Sequence, residues 1–408
     1  MSKVLVIGAG AAGLIAAGAA ARQGHEVLLA ERNPRPARKV MITGKGRCNL
    51  TNYAADIKEF ISNVPVNGKF LFSSVSAFSP SDVMALVENE GVPLKIERGN
   101  RVFPVSDKAV DIVDALVRYA RKAGVRFIQE RIVDFRVSDH RIVFAISETG
   151  ENLRSDSYIL CTGGKSYPAT GSDGDGYRLA AQAGHKIVPP RPALVPFVLA
   201  GEEFKELQGL SLKNIAISVT DEKNKTVYTD FGEMLFTHFG VSGPVILSAS
   251  VAVPDLNCAP HSLIIDLKPA LSEEKLDARL LREFDGNGLK SLSSVMPSLL
   301  PKSLVAPILR RAGDTGEEKI SGVGKDLRAA IVRAMKSYDF SITGTRDYNE
   351  AIVTAGGVDT REIDPKTMKS KLCENLSFAG ELIDVAAFTG GFNLQIAFST
   401  GYAAGCYI

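Results

Sequence analysis

The sequence predicts an α/β fold that is interrupted by an inserted block of different character. Three observations support this. The chain opens on a short apolar strand that glycine breaks sharply before a helical run, three prolines within 189–192 mark a change of texture, and glycine-rich αβ patterning returns after Thr345. Because 408 residues exceed one ordinary domain, we expect more than one compact unit.

The composition narrows the class of protein. The chain has a hydrophobic fraction of 45%, a charged fraction of 23% and a net charge of +2. These values are typical of a protein with a buried hydrophobic core, and the small net charge does not indicate binding to nucleic acid or to an anionic membrane. The five cysteines are widely spread without a C-x-x-C pair. We therefore expect neither a disulfide framework nor a metal site, and we expect a reducing, cytoplasmic location.

Residues 4–21 form an uncharged run that superficially resembles a membrane span or a signal peptide. Eight of its eighteen residues are alanine and four are glycine, so its apolar surface is small. We interpret it as a strand at 3–7, a glycine turn and a helix at 11–23, followed by a second strand at 26–31. No membrane partner is expected.

The remaining elements follow from periodicity. Helices are predicted from Ser79 to Gly91 and over 107–123, and a small β-meander is predicted from four extended runs: 125–129, 132–137, 142–147 and 157–161. Within the block 192–345, the sequence predicts strands at 215–219, 225–229, 233–237 and 262–267, followed by helices around 276–284 and 327–335. The predicted boundaries are 1–191, 192–345 and 346–408.

The glycine turn matches a dinucleotide-binding loop, Gly8-Ala9-Gly10-Ala11-Ala12-Gly13. Its first glycine permits the tight turn, its second lets a diphosphate approach the backbone, and its third lets helix and strand pack closely. Glu31 ends the second strand, where a carboxylate accepts hydrogen bonds from ribose hydroxyls. The structural alternative is a tight turn in an alanine-rich helical hairpin.

Six cations follow within sixteen residues: Arg32, Arg35, Arg38, Lys39, Lys45 and Arg47. Three interpretations of this run are open: a solvent-exposed surface, a set of cations that neutralises a bound diphosphate, or an RNA-binding patch. The region lacks the interleaved aromatic residues that would stack on bases, and the net charge is small. Nucleic acid is therefore not expected as a partner.

Further motifs resemble those of glutathione-reductase-type FAD-binding proteins. Residues 158–164 resemble the strand followed by Ala-Thr-Gly in that superfamily, with Cys161 in place of alanine. Residues 376–381 resemble its strand followed by Gly-Asp, with Glu381 in place of the aspartate that binds the ribityl chain, and Asp384 is a rival for that role. The resemblance implies that FAD is bound by Arg32, Thr162, Gly163, Gly164, Gly380 and Glu381.

A narrower resemblance covers nearly the whole chain. Residues 38–52, 164–177, 235–244 and 389–395 are similar, in this order, to motifs of the BaiN/RdsA-type, or HI0933-like, family of NAD(P)/FAD-dependent oxidoreductases. The family implies a discontinuous FAD-binding Rossmann domain with an inserted domain of β-barrel and helical parts. It adds cofactor contacts at Lys39, Gly46, Arg47, Cys48, Asn49 and Thr51. Some members reduce unsaturated steroid-like substrates, but the family implies no single substrate.

The segment Thr389-Gly390-Gly391 precedes a helical run at 393–404. Backbone donors of Gly391, Asn393 and Leu394 would face the pyrimidine edge of the flavin, where a positive helix end stabilises the charge of the reduced ring. The alternative is a plain Gly-Gly turn.

Three side chains are candidates for the catalytic residue. Cys48 is flanked by Arg47, but no second thiol is near in the sequence, so a packing or cofactor-contacting role is preferred. His238 lies in the insert and Tyr167 follows the 164–166 turn. Each is a candidate proton donor, although a solvated or core histidine is the preferred interpretation of His238.

The leading hypothesis is an FAD-dependent oxidoreductase that passes hydride from NAD(P)H, through flavin, to an unsaturated or carbonyl small molecule. Because the chain has one dinucleotide fingerprint, NAD(P)H would be a transient electron donor. Two alternatives stay open: a flavin-dependent RNA-associated protein, and a protein that binds FAD without catalysis.

Overall fold

The computed structural model describes residues 1–254 and 256–408. It comprises two compact units. The first unit is Met1–Ala193 together with Asp347–Ile408, and the second unit is Leu194–Arg346. The first unit is therefore discontinuous in sequence, and each unit has its own hydrophobic core.

The first unit is built on a five-stranded parallel sheet. Across the sheet, the strands are ordered Leu376–Phe378, Ser157–Leu160, Lys3–Ile7, Glu26–Glu31 and Arg126–Gln129. The central strand is a continuous apolar run and is buried beyond its first residue, as is typical of a parallel strand covered on both faces. The C-terminal part of the chain thus supplies one edge of a sheet that the N-terminus begins.

The predicted β-meander is partly wrong. The runs at 125–129 and 157–161 lie in the parallel sheet, and only the two middle runs pair antiparallel, as Ile132–Ser138 and Arg141–Ser147, with Asn152–Leu153 as a third strand. Short apolar runs do not reveal their partners, because strand pairing is set by long-range packing rather than by local periodicity.

Two helices from opposite ends of the chain lie against each other in the first unit, Ala11–Arg22 and Phe392–Cys406. A β-carbon at Gly401 would lie 2.4 Å from the carbonyl oxygen of Ala12, so glycine is required for this close approach. The alanine-rich run after the first strand is therefore a buried core helix. Among the described residues, no single helix combines the length and apolar character of a membrane span, and one bent pair, Gly68–Ala77 with Pro80–Asn89, meets these criteria by length and composition only.

The other elements of the first unit surround this core. A three-stranded antiparallel sheet contains, in this order, Thr51–Asn52, Arg101–Pro104 and Leu94–Glu97. A two-stranded antiparallel ribbon contains Ile187–Ala193 and Val353–Val358. The remaining helices are Arg38–Ile42, Ile57–Ser62, Phe72–Ala77, Pro80–Asn89, Ala109–Lys122 and Asp175–Gln182. Ser79 caps the helix that begins at Pro80, as its position before the proline predicts.

The second unit contains a closed six-stranded antiparallel barrel. Its strands are ordered Phe197–Leu199, Gly240–Ser242, Thr226–Thr237, Ser211–Thr220, His261–Asp266 and Tyr338–Thr345. The barrel implied by the family resemblance is confirmed. The two strands predicted at 225–229 and 233–237 form one continuous strand. The helices of this unit are Pro244–Ala252, Glu273–Phe284, Leu292–Val295, Lys302–Arg311 and Lys325–Lys336.

Candidate cofactor site and active site

The glycine loop has the geometry of a diphosphate cradle. Gly8 adopts a φ of +96°, and a β-carbon there would lie 2.7 Å from the carbonyl oxygen of Cys161. A β-carbon at Gly13 would lie 1.8 Å from the carbonyl oxygen of Gly8, whereas one at Gly10 would meet nothing within 4 Å. The loop is therefore closed on the protein side and open at Gly10. The helix that starts at Ala11 directs its free N–H groups, including that of Ala12, toward this opening.

Glu31 is tied to the glycine loop. Its Oε2 accepts a hydrogen bond of 2.9 Å from the backbone N–H of Ala9, and its Oε1 accepts from the backbone and side-chain nitrogens of Asn33, both at 2.8 Å. A carboxylate has about four acceptor positions, so capacity remains for hydroxyl donors. The carboxylate thus both orders the loop and lies beside the place where a ribose would bind.

The basic run that follows is not an uncompensated positive face. Four of its six cations form ion pairs with acids that are distant in sequence: Arg32 with Asp173, Arg35 with Asp114, Lys39 with Glu381, and Arg47 with Glu97 and Asp107. Arg38 donates to the side chain of Asn33. The local sequence shows one neighbouring acid only, because the compensating carboxylates arrive through folding. Lys45, the remaining cation of the run, has an exposed side chain.

Glu381 joins three segments of the first unit. Its Oε1 accepts from the Ser166 hydroxyl at 2.8 Å and from the backbone N–H of Thr354 at 2.7 Å, and its Oε2 accepts from Nζ of Lys39 at 2.5 Å. Thr354 was missed by the sequence interpretation, since it lies in none of the motifs. The ribityl contact predicted for Glu381 therefore depends on acceptor capacity beyond these three bonds.

Asp384, the rival for the ribityl contact, is also bonded within the protein. Its Oδ1 accepts from the backbone N–H of Gly356 at 3.1 Å, and its Oδ2 accepts from Nδ2 of Asn67 at 3.0 Å. Burial raises the pKa of this carboxyl group. Asp384 thus ties the C-terminal segment to the ribbon strand Val353–Val358.

The loop after the strand Ser157–Leu160 brings Thr162 to the glycine loop. A β-carbon at Gly8 would lie 3.1 Å from the Cα atom of Thr162. Gly163 has a φ of +76°, and a β-carbon at Gly164 would lie 2.4 Å from Oγ1 of Thr354. In the described part of the chain, the buried Oγ1 of Thr162 has no hydrogen-bond partner. A β-carbon at Gly176 would lie 1.9 Å from this Oγ1 atom, so the hydroxyl faces the helix Asp175–Gln182, and it is the backbone of Thr162 that borders the glycine loop.

The C-terminal segment contacts the N-terminal helix at Gly380. This residue has a φ of +78°, and a β-carbon there would lie 2.9 Å from the β-carbon of Ala12. Its N–H donates to the Thr400 hydroxyl at 3.0 Å. Gly380 therefore lies against the glycine-loop helix, as the prediction of one site formed by both ends of the chain requires.

The helix Phe392–Cys406 is preceded by Gly391, whose backbone adopts a conformation that favours glycine. Gly390 and Gly391 have φ values of +124° and +102°, and a β-carbon at Gly391 would lie 2.4 Å from the carbonyl oxygen of Thr51. This turn is fixed by a bond of 3.0 Å from Nδ2 of Asn52 to the carbonyl oxygen of Gly390. Asn52 closes the 38–52 motif but was not predicted as a site residue. The helix end is thus placed by contact with that motif.

Side chains near this helix end are largely committed to the protein. Asn393 both accepts from and donates to the backbone of Ala387, at 3.0 and 2.9 Å, so its side chain fastens the preceding loop. The Thr51 hydroxyl bonds Oε1 of Gln395 at 2.6 Å. Leu394 is partly buried against the core. The groups left for a ligand at Gly391, Asn393 and Leu394 are backbone N–H groups at the helix N-terminus.

A cavity of about 650 Å³ in the first unit borders the same turn. Its walls include Thr389 and Gly390, the loop that carries Gly46 and Asn49, and the turn at Gly99. Oδ1 of Asn49 is buried and, within the described residues, has no hydrogen-bond partner. This amide oxygen keeps the capacity to accept a hydrogen bond from a ligand or from water.

The three catalytic candidates are not equivalent. Cys48 is fully buried with a φ of +60°, and burial raises the pKa of its thiol to about 12, so the reactive thiolate is absent at neutral pH. Tyr167 is half-buried in the first unit, and burial raises the pKa of its phenol. His238 belongs to the second unit, where it is exposed after the strand Thr226–Thr237 and its ring contacts Phe239.

A parallel sheet with a glycine loop, an acid at the end of the second strand and a C-terminal segment that returns to the loop define an FAD-dependent oxidoreductase. The chain belongs to the HI0933-like family: the family model for the HI0933-like protein Rossmann domain matches residues 2–407. The predicted family, the FAD-binding Rossmann fold and the oxidoreductase class are confirmed.

Curated relatives cover almost the whole chain. It is 31% identical over 405 residues to the ribosomal RNA dihydrouridine synthase of Escherichia coli strain K12, covering 98% of this chain and 96% of that protein. It is 30% identical over 410 residues to the 3-dehydro-bile acid delta(4,6)-reductase of Clostridium scindens, covering 99% and 98%. The expectation that nucleic acid is not a partner gains no support from the first of these relatives.

Solved structures share the fold. The 3-ketosteroid-delta4-(5alpha)-dehydrogenase of Rhodococcus jostii RHA1 superposes with a TM-score of 0.54 at 16% identity, covering 100% of this chain and 96% of that one. A flavocytochrome c3 fumarate reductase superposes with a TM-score of 0.52 at 17% identity, covering 100% and 78%. At this identity the similarity establishes the architecture alone.

The residues of the first unit fit FAD. The open space at Gly10 and the free helix end suit a diphosphate, and the remaining acceptor capacity of Glu31 suits ribose hydroxyls. The unpaired Oδ1 of Asn49 suits the N–H donor of an isoalloxazine ring. These observations come from different segments of the first unit, and each leaves space or hydrogen-bonding capacity that a part of FAD could use.

Proposed function

We propose that this protein is a reductase that adds hydrogen across a carbon–carbon double bond conjugated to a carbonyl group, with electrons from NAD(P)H. The observation that carries the proposal is the contact between Gly380 and Ala12. It brings the C-terminal segment, with its helix end at Gly391, into the same unit as the open diphosphate cradle at Gly10.

In this proposal, the loop residues Gly8, Gly10, Ala11, Ala12 and Gly13 bind the diphosphate through backbone N–H groups, and Glu31 binds the adenosine ribose. Thr162, Gly163, Gly164, Gly380 and Glu381 line the region of the ribityl chain, with Arg32, Lys39 and Arg47 fixing the surrounding loops through their ion pairs. Gly46, Cys48, Asn49, Thr51, Gly391, Asn393 and Leu394 surround the ring. When bound, FAD supplies a two-electron hydride carrier.

The protein's contribution to the chemistry is orientation and electrostatics. The positive end of the helix Phe392–Cys406 stabilises negative charge on the pyrimidine side of the ring, by roughly a kcal/mol. Asn49 orients the ring through its unpaired oxygen. Reduction of the double bond also needs a proton, and Tyr167 and His238 are the side chains proposed for this role. Cys48 is excluded as a nucleophile by its burial.

The relatives support a conjugated double bond as the reacting group. One is named for dihydrouridine, which is uridine reduced at a double bond conjugated to a ring carbonyl, and another for a 3-dehydro-bile acid, which carries a ketone conjugated to the bonds reduced. In both molecules the carbonyl group activates the carbon–carbon double bond toward hydride addition, at the β carbon of a simple enone or at the δ carbon of an extended dienone. We therefore propose this chemical class, rather than an isolated alkene or an alcohol, as the substrate.

Uridine within RNA is the second candidate substrate. It is favoured by the named activity of relatives at 31% identity from two bacteria, which each cover nearly the whole chain. It is not favoured by the basic run, since most of these cations are paired within the protein. An RNA substrate and a steroid-like enone predict the same flavin chemistry and differ in what the second substrate must be.

Anaerobic mixing tests the proposal. Purified protein should be yellow, retain FAD through gel filtration and bleach on mixing with NADH or NADPH. Reoxidation by a steroid dienone or by a uridine-containing ribosomal RNA fragment then identifies the substrate class, measured as the return of flavin absorbance. A flavin that stays oxidised with both nicotinamides would show a structural cofactor and contradict the proposal.

A further inference from the structure

The cavity of about 650 Å³ beside Gly390 has a charge distribution that the flavin contacts do not explain. Three cationic side chains line it, and they differ in their partners. Arg47 is neutralised by Glu97 and Asp107. Lys45 has no hydrogen bond or ion pair among the described residues, and Arg101 donates only to the backbone carbonyl of Arg98 within that range. Lys45 is therefore free for a ligand, and Arg101, which lies opposite Glu97 in the strand pair and helps to lower the pKa of that carboxyl group, keeps guanidinium N–H donors without a side-chain hydrogen bond among the described residues.

The free lysine is held in a costly conformation. Gly44, Lys45 and Gly46 have φ values of +57°, +58° and +83°, so three consecutive residues adopt the left-handed region. This conformation is less favourable for lysine than for glycine, and glycine already stands on both sides. Local folding therefore does not require lysine at this position, which indicates that its side chain has a use at the cavity.

The opposite wall is built in a related way. Gly99 and Asn100 have φ values of +76° and +57°, and their turn leads directly into Arg101. Asn52 donates to the carbonyl oxygens of Gly99 and Gly390, each at 3.0 Å. One amide group thus fixes this turn and the turn before the helix Phe392–Cys406 in a defined arrangement. The walls of the cavity are preorganised rather than a loose surface.

Phe103 and Glu59 complete the relevant lining. The Arg47 guanidinium lies 4.1 Å from the centroid of the Phe103 ring, and that of Arg101 lies 5.8 Å from it. Glu59 is the acidic side chain of the lining, and its Oε2 accepts from the backbone N–H of Ala55 at 2.6 Å. Lys95 pairs with Glu97 and Asp107 beside the cavity, so four cations (Lys45, Arg47, Lys95 and Arg101) stand against three acids (Glu59, Glu97 and Asp107), and the cavity favours an anion.

We propose that this cavity binds a phosphate group of the molecule that exchanges hydride with the flavin, with Lys45 and Arg101 as the phosphate-binding cations. The inference rests on the proposed function and deepens it, because it assigns a docking position to a ligand that has no dinucleotide loop of its own. The phosphate belongs either to NAD(P)H or to a phosphorylated substrate. Both sources present the same chemistry to the two cations.

The test uses the FAD-bound protein and inorganic pyrophosphate as the probe, with binding measured by titration calorimetry. Because each charge-assisted bond contributes roughly tenfold to affinity, the double variant Lys45→Ala/Arg101→Ala should weaken pyrophosphate binding by about a hundredfold. Arg98→Ala removes a charge from the same turn outside the cavity and is the matched control, which should leave the binding unchanged. Lys45→Gly removes the charge while relieving the backbone, so it separates charge from misfolding.

Two further titrations distinguish the sources of the phosphate. If NAD(P)H docks here, the double variant raises the NADPH concentration needed for half-maximal bleaching rate, while the affinity for uridine 5′-monophosphate is unchanged. If the substrate docks here, the opposite pattern appears. Either pattern supports the inference.

The inference is overturned if the FAD-bound wild type does not bind pyrophosphate, or if it and the double variant bind it equally. A loss of FAD, or a failure of NADH and NADPH to bleach the wild type, would instead contradict the proposed function. The pyrophosphate titration does not depend on flavin reduction, so the two failures are distinguishable.

Discussion

Nζ of Lys39 lies 2.5 Å from Oε2 of Glu381, and this ion pair joins residues that are 342 positions apart in the sequence. Both side chains are about one-fifth exposed, and the amine also donates to the Ser166 hydroxyl. The pair is therefore more strongly coupled than a surface ion pair but keeps some contact with solvent. It fastens the segment after the second strand to the C-terminal segment.

Removing one partner of this pair should cost more than a surface ion pair does. We expect Lys39→Met and Glu381→Gln each to lower the free energy of unfolding by roughly 1–3 kcal/mol, between the values for exposed and buried pairs. The double variant should lose less than the sum of the two. Urea denaturation with and without saturating FAD measures this, and strictly additive losses would show that the two groups are not coupled.

Substitution by alanine should have different effects at Gly10 and at Gly13: at Gly10 it should weaken FAD binding, and at Gly13 it should lower the stability of the fold. A β-carbon at Gly10 meets nothing within 4 Å, and this residue has an extended backbone, so Gly10→Ala should fold with an unchanged melting temperature in the absence of FAD. The added methyl group occupies the opening of the cradle and should weaken FAD binding by roughly tenfold or more, as the loss of close backbone approach predicts. Fluorescence titration of apoprotein with FAD measures the affinity. Full affinity in the variant would place the diphosphate elsewhere.

Gly13→Ala should instead damage the fold. Its β-carbon would lie 1.8 Å from the carbonyl oxygen of Gly8, so the first helix must move away from the first strand. We expect a loss of roughly 3 kcal/mol or more in the free energy of unfolding, the upper range for overpacking. Thermal unfolding followed by circular dichroism checks this. A stability equal to that of Gly10→Ala would mean that the helix and strand are not held as described.

The features that could be predicted correctly from the sequence are those determined by residues close to one another in the chain. The turn at Gly8, the helix from Ala11 and the acid at Glu31 could be predicted because each depends on neighbouring residues and on backbone chemistry. The partners of Lys39 and Arg47 could not, since their carboxylates are brought near by long-range folding. The runs at 125–129 and 157–161 were misplaced for the same reason, because a short apolar strand does not show which strand it will pair with.

Asp359 provides a pH-dependent contribution to stability. The Arg361 side chain lowers the pKa of this carboxyl group from 3.8 to about 2. A lowered pKa in the folded state means that the stabilisation is present above pH 4 and is lost as the pH falls toward 2. Because the Arg361 side chain is 77% exposed, solvent screens the pair, and we expect about 1 kcal/mol rather than the full linkage value.

Asp359→Asn should therefore lower the free energy of unfolding by about 1 kcal/mol at pH 7, with the difference from wild type shrinking between pH 5 and pH 2. Urea denaturation across this range measures the difference. Arg361→Gln is the matched variant, and it should weaken the pH dependence of stability in the same direction but not abolish it, because Asp359 also accepts from the backbone N–H of residue 361. A difference that is constant with pH would assign the effect to packing rather than to charge.

Cys48 should be chemically inert in the folded protein. Its side chain is fully buried, and burial raises the pKa of the thiol to about 12, so both access and thiolate are lacking at neutral pH. Cys258 is exposed and provides an internal control. We expect iodoacetamide to label Cys258 in native protein within minutes and to label Cys48 only after unfolding in urea, as located by mass spectrometry of peptides. The native, labelled protein should still bleach with NAD(P)H. Rapid labelling of Cys48 with parallel loss of bleaching would contradict this assignment and restore the cysteine as a catalytic candidate.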